Sequence, residues 1–95
     1  MRFRLEYDQA AFDDIDDVDS FDLPIIRQAI ELLADQANVR SRNRRPLERA
    51  VSWCPEATWQ LPVRHYRVLY RFDGGTVRLL RVRWKGSLTT EEIGR

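Results

Sequence analysis

An α+β domain, with a mostly antiparallel sheet covered on one face by a helix pair, is predicted from the order of three patterns. A short alternating run opens the chain, two amphipathic helical stretches follow, and three consecutive alternating runs close it. The 95 residues suit one domain spanning 1–95, and a 43% hydrophobic content with 11% aromatics supports a packed core over disorder.

Arg2 to Tyr7 alternates, with Phe3, Leu5 and Tyr7 on one side and Arg2, Arg4 and Glu6 on the other, the period of a half-buried strand. Asp8 is placed to cap a short helix that gathers Ala11, Phe12, Ile15 and Val18 on one face. Carboxylates near its C-terminal end oppose the macrodipole and keep it short. Ser20 or Asp22 caps a second helix with Pro24 in its first turn. Its buried stripe is Ile26, Ile30, Leu33 and Ala37, with Ala29 beside it, and Asn38 is expected as a left-handed stop.

Val39 to Trp53 has no period and reads as an ordered loop with room for one helical turn. Trp59, Leu61 and Val63 then share a strand face that Tyr66, Val68, Tyr70 and Phe72 continue. Asp73-Gly74-Gly75 signals a hairpin into a last strand, Val77 to Trp84, with Leu80, Val82 and Trp84 expected inward and Leu79, Arg81 and Arg83 outward. The polar stretch from Gly86 to Arg95 is expected to be loosely held.

Charge is divided along the chain. Met1 to Gln36 carries three basic and ten acidic residues, whereas Ala37 to Arg95 carries thirteen basic and five acidic ones. All the basic residues but Lys85 are arginine, whose planar fork suits phosphate better than an ammonium does. Strand alternation puts Gln60, Pro62 and Arg64, then Arg67, Leu69 and Arg71, then Arg81 and Arg83, on the sheet face away from the helices. An open, arginine-lined face backed by acidic helices is expected to dock a polyanion. A solvated sheet face is the plainer alternative.

Much chemistry is excluded by residue type. One cysteine, Cys54, rules out an internal disulfide and leaves no zinc-ligand set. Asp13, Asp14, Asp16 and Asp17 resemble a metal cluster in composition only, so neither metal nor cofactor is expected. No Walker loop, GxGxxG, HExxH or Ser/His/Asp set is present. No apolar run approaches a membrane span, and MRFRLEYDQA lacks a signal-peptide core, so no membrane partner and a cytoplasmic location are expected. RNA could be cut without metal, by its own 2′-hydroxyl, given a base, an acid and cations at the transition state. Arginine supplies only the last of these. Proton transfer would fall to His65, Lys85, Tyr66, or the carboxylates Glu91 and Glu92.

Four blocks, in order, resemble the RelE/ParE superfamily of toxins from type II toxin–antitoxin modules. They are Arg42-Asn43-Arg44-Arg45-Pro46-Leu47, Trp59-Gln60-Leu61, His65-Tyr66-Arg67-Val68-Leu69-Tyr70 and Val77-Arg78-Leu79-Leu80-Arg81-Val82. The resemblance implies an N-terminal strand, a two-helix hairpin and a three-stranded antiparallel meander, with a cognate antitoxin as partner. It implies one of two activities. RelE-like members cut mRNA on the ribosome, as metal-independent endoribonucleases that inhibit translation; ParE-like members inhibit DNA gyrase without nuclease chemistry. A degenerate, non-toxic member that only binds its antitoxin or nucleic acid is the third possibility.

The RelE-like reading leads at this point. In it Arg67 matches the strand arginine at the scissile phosphate, with Arg64, His65 and Lys85 as the other catalytic candidates. Arg42, Arg44, Arg45, Arg71, Arg81 and Arg83 would hold RNA. Gln60 and Pro62 stand where the ribonucleases present lysines, and no tyrosine follows Trp84.

Overall fold

The computed structural model describes residues 2–39 and 44–84. Arg42, Lys85 and the stretch from Gly86 to Arg95 lie outside them. Seven elements are present: β1 (Arg4–Tyr7), α1 (Gln9–Asp16), α2 (Leu23–Gln36), β2 (Arg45–Pro46), β3 (Trp59–Val63), β4 (Tyr66–Asp73) and β5 (Thr76–Trp84). They form a five-stranded sheet in the order β1-β5-β4-β3-β2, antiparallel except where β1 runs parallel to β5. The expected meander is β3-β4-β5. The segment expected as loop also contributes the edge strand β2, which carries Pro46; Pro62 lies on β3 past the two residues that β2 pairs, and at both places a missing N–H blunts edge pairing.

Both helices lie on one face. Ala11 and Ile15 of α1 and Ile26, Ile30 and Leu33 of α2 meet Leu61, Val63, Val68, Tyr70, Val77, Leu79 and Val82 in the main core. Phe12 departs from its expected buried place: it is 52% exposed and leans on the Tyr7 ring, 5.2 Å between centroids. α2 ends in right-handed conformation at Ala37, and Asn38 takes no left-handed turn; among the described residues only Arg64 and Gly74 have positive φ, +53° and +58°. Gly74 opens the two-residue turn between the paired Asp73 and Thr76, where a side chain would be strained.

Asp8 and Asp22 stand at the helix N-caps as expected, yet neither carboxylate bonds its own helix. Each accepts from a distant arginine instead: Asp8 from Arg78 at 2.7 Å, Asp22 from Arg64 at 2.7 Å. Helix starts are thereby pinned to the sheet and to the β3–β4 turn.

β5 reverses one expectation. Tyr70 pairs with Leu79 but Leu69 pairs with Arg81, so β5 carries an extra residue there. Leu79 consequently joins the helix-side core, and Leu80 turns to the other face. That face is not fully open. Val51, Cys54 and Ala57, with Leu47 and Trp53, pack on Leu69 and Leu80 as a second small core.

Tyr70 ties the two layers together. Its ring is fully buried and its hydroxyl donates to the Ala37 carbonyl at 2.8 Å. Burial pushes its pKa well above the usual 10.0. The folded state therefore holds a proton that the unfolded chain releases, and stability falls as pH rises past about 10. Tyr70→Phe should cost about 1–2 kcal/mol at neutral pH, by leaving the Ala37 carbonyl bare. Urea melts should also show a shallower alkaline decline than in the parent; an unchanged slope would place the alkaline sensitivity elsewhere.

Candidate functional site

Alternation along β3, β4 and β5, with the short β2 beside them, brings a row of polar groups onto the face away from the helices. Arg45 of β2 pairs with Gln60 of β3, and Arg67 of β4 stands between Pro62 and Arg83 of its neighbours. Gln60 is 3% exposed and accepts a hydrogen bond from Arg67 Nη1 through Oε1. Arg67 itself is half-buried, and its Nε has no partner among the described residues. Burial first, and then the Arg45 charge, push its pKa down. A guanidinium remains charged through such a shift. Leaving a buried donor unmet costs about 1–3 kcal/mol, so this position stores binding capacity at the expense of stability.

Among the described residues, Arg64, Arg71, Arg78 and Arg81 are committed to the chain's own acids. Arg64 turns to the helix side, held by Asp22 with Phe21 5.4 Å from its Cζ. Arg71 pairs with Asp73 at 2.7 Å, and Arg78 with Glu6 and Asp8. Arg81 makes a two-pronged contact with Asp14 at 2.7 and 3.0 Å, which raises its pKa. Arg44 donates to the Val39 carbonyl. The site expected from sequence is thus divided. Arg45, Arg67 and Arg83 meet on one face without an acidic partner among the described residues, while Arg64, Arg71 and Arg81 are neutralised locally.

Among the described residues, groups able to move a proton do not gather there. His65 sits exposed in the β3–β4 turn. Tyr66 alternates to the helix side, where its oxygen accepts from the Asp19 N–H at 3.3 Å. Among the described residues no three His, Cys, Asp or Glu side chains converge as metal ligands. The expected inward Trp84 is 55% exposed and, with Arg83, Tyr66, Asp14 and Asp17, lines an open hollow of about 370 Å³.

The roles of two contributors had no sequence signal, although alternation places Gln60 on this face. Gln60 is an isolated polar residue in an apolar strand, and only its cross-strand neighbours reveal it as the acceptor for Arg67. Trp53 lies in a stretch without periodicity. Its ring centroid is 4.5 Å from Arg83 Cζ and 5.3 Å from Arg81 Cζ, and its Nε1 is buried without a partner among the described residues. Three guanidiniums and an amide, without base or acid beside them among the described residues, can hold an oxyanion; they cannot by themselves transfer protons.

Comparison with known proteins gives a consistent picture. Residues 5–86 match the model of the ParE toxin of the type II toxin–antitoxin system, parDE. No curated protein matches the sequence. The archaeal RelE–RelB complex from Pyrococcus horikoshii OT3 has a chain of the same fold, with TM-score 0.71 and 12% identity over 93% of this chain and 100% of that one. A chain of the chromosomal ParDE system from P. aeruginosa gives TM-score 0.62 and 15% identity over 87% of this chain and 96% of that one. One from the RelBE2 toxin–antitoxin complex of Mycobacterium tuberculosis gives TM-score 0.58 and 26% identity over 88% and 99%. Among the described residues no helix is long and apolar enough to cross a membrane.

Proposed function

Since the chain belongs to the ParE toxin family of type II toxin–antitoxin systems, we propose that it poisons by binding and not by cutting. In this reading it is a non-catalytic inhibitor of DNA gyrase, held in check by a cognate antitoxin. One observation carries the choice. Gln60 holds Arg67 between Arg45 and Arg83, a cationic surface with no proton-transfer group beside it among the described residues. Such a surface suits a carboxylate or phosphate of a macromolecular target. The antitoxin partner is supported by the three solved relatives, each of them determined within a toxin–antitoxin system.

Ribosome-dependent mRNA cleavage is the second reading, favoured by the place of Arg67 in its block and by Arg83 directly across from it. There the two guanidiniums would flank the scissile phosphate. His65 and Lys85, with Arg64, would be left to supply the remaining chemistry, and Arg42 and Arg44 would hold RNA.

The two readings separate cleanly. The purified toxin is expected to block gyrase supercoiling of a relaxed plasmid, and its induction to leave transcripts intact by primer extension. Codon-phased breaks in transcripts, with gyrase unaffected, would overturn the binding mechanism and install the nuclease.

A further inference from the structure

We propose that Trp53 is a positioning residue that holds Arg83 beside Arg67 on the cationic face. The proposal rests on that face being the one that meets the target. Arg83 and Arg67 pair across β4 and β5, and two like charges so placed repel. Arg83 forms no ion pair among the described residues that would fix its long side chain at the face. What it does have is the indole of Trp53, 4.5 Å from its Cζ.

The ring is itself anchored. Arg81 lies 5.3 Å from the ring centroid and is fixed through two hydrogen bonds to Asp14 of α1. A chain of contacts thus runs from α1 through Asp14, Arg81 and Trp53 to Arg83. The charge of Arg81 is met by Asp14; that of Arg83 is left for a ligand.

The chemistry of the indole supports this assignment. Its N–H is buried without a partner among the described residues, so no hydrogen bond explains a tryptophan here. The ring also packs, with Leu47, on the small core of Val51, Cys54, Ala57, Leu69 and Leu80, an apolar contact that leucine can also make. What a leucine at this position would lack is a π face for a cation.

The test compares Trp53→Leu, Trp53→Phe, Arg83→Ala and the double Trp53→Leu/Arg83→Ala, scored by the induction level that halts growth. This readout assumes nothing about the target. Loss of a cation–π contact predicts that Trp53→Leu needs roughly threefold to thirtyfold more toxin. Trp53→Phe should recover most of the loss, and Trp53→Leu should add nothing once Arg83 is alanine. In the wild-type spectrum the Arg83 Nε–H proton should be displaced by the ring current, and the displacement should shrink in Trp53→Phe. Equal losses in both backgrounds, or an undisplaced Arg83 resonance, would overturn the proposal. If Trp53→Leu does not fold, the resonance of the wild type and of Trp53→Phe decides alone. A toxin without effect on gyrase whose Trp53–Arg83 coupling persists would refute the target and leave the positioning role standing.

Discussion

Asp14→Ala is expected to lower the unfolding free energy by about 3 kcal/mol, and with it the melting midpoint by roughly 12–24 °C. The reason lies at the end of the sheet. β1 stops at Tyr7, which pairs with Leu79, so β5 continues past it with no strand on that side. Asp14 takes the place of the missing neighbour: its Oδ2 accepts the Val82 N–H at 2.9 Å and the Arg81 Nε at 2.7 Å, while Oδ1 accepts Arg81 Nη2. Alanine would leave a strand N–H bare and a mostly buried guanidinium without its counter-charge. The carboxylate is 14% exposed and the arginine 27%, so solvent compensates only in part. Asp14→Asn keeps an acceptor for Val82 but not the charge and should fall between. Thermal and urea melts followed by circular dichroism measure both. A loss below about 1 kcal/mol for alanine would mean that the edge is held by packing of α1 alone.

What could be read from the chain, and what could not, divides at periodicity. Alternation places Leu61, Val63, Val68 and Tyr70 on the inner face, and helical spacing selects Ile26, Ile30 and Leu33, because each pattern is repeated over several residues. The phase of β5 is lost at Leu79-Leu80. A bulge between two leucines leaves no compositional trace, yet it shifts the alternation by one residue and exchanges their faces. The packing of the segment around Val51 and Trp53 is likewise invisible, since it follows from meeting Leu69 and Leu80 and from no local pattern. The candidate site shows the same division. Strand phase places Arg67 and Arg83 on one face, whereas Arg45, in a stretch that reads as loop, joins them only through the pairing of β2 with β3. Which arginines are already spoken for depends on partners such as Asp14 for Arg81 and Asp8 for Arg78, which come from distant parts of the chain. The aspartates at helix starts illustrate it best: their positions were legible as caps, but their carboxylates serve the sheet.

Arg67→Ala is expected to abolish growth arrest while leaving the fold no less stable than the parent by more than about 1 kcal/mol. Function is lost because the side chain is the centre of the cationic face, half-buried, held by Gln60 and flanked by Arg45 and Arg83. Stability is spared because two costs disappear with it. Its Nε is a buried donor without a partner among the described residues, and its charge is opposed by that of Arg45. Against these stands one new debt, the Gln60 oxygen left without its donor. Binding sites commonly carry strain of this sort, and relieving it trades activity for stability. Arg67→Lys sharpens the argument. It keeps the charge but not the fork, so one ammonium must choose between Gln60 and the ligand, and most of the toxicity should go. Growth curves under graded induction, read beside melts of the purified variants, provide the check. Unfolded Arg67→Ala protein would make the arginine a structural member of the sheet. A folded and fully toxic variant would move the working surface away from this face altogether.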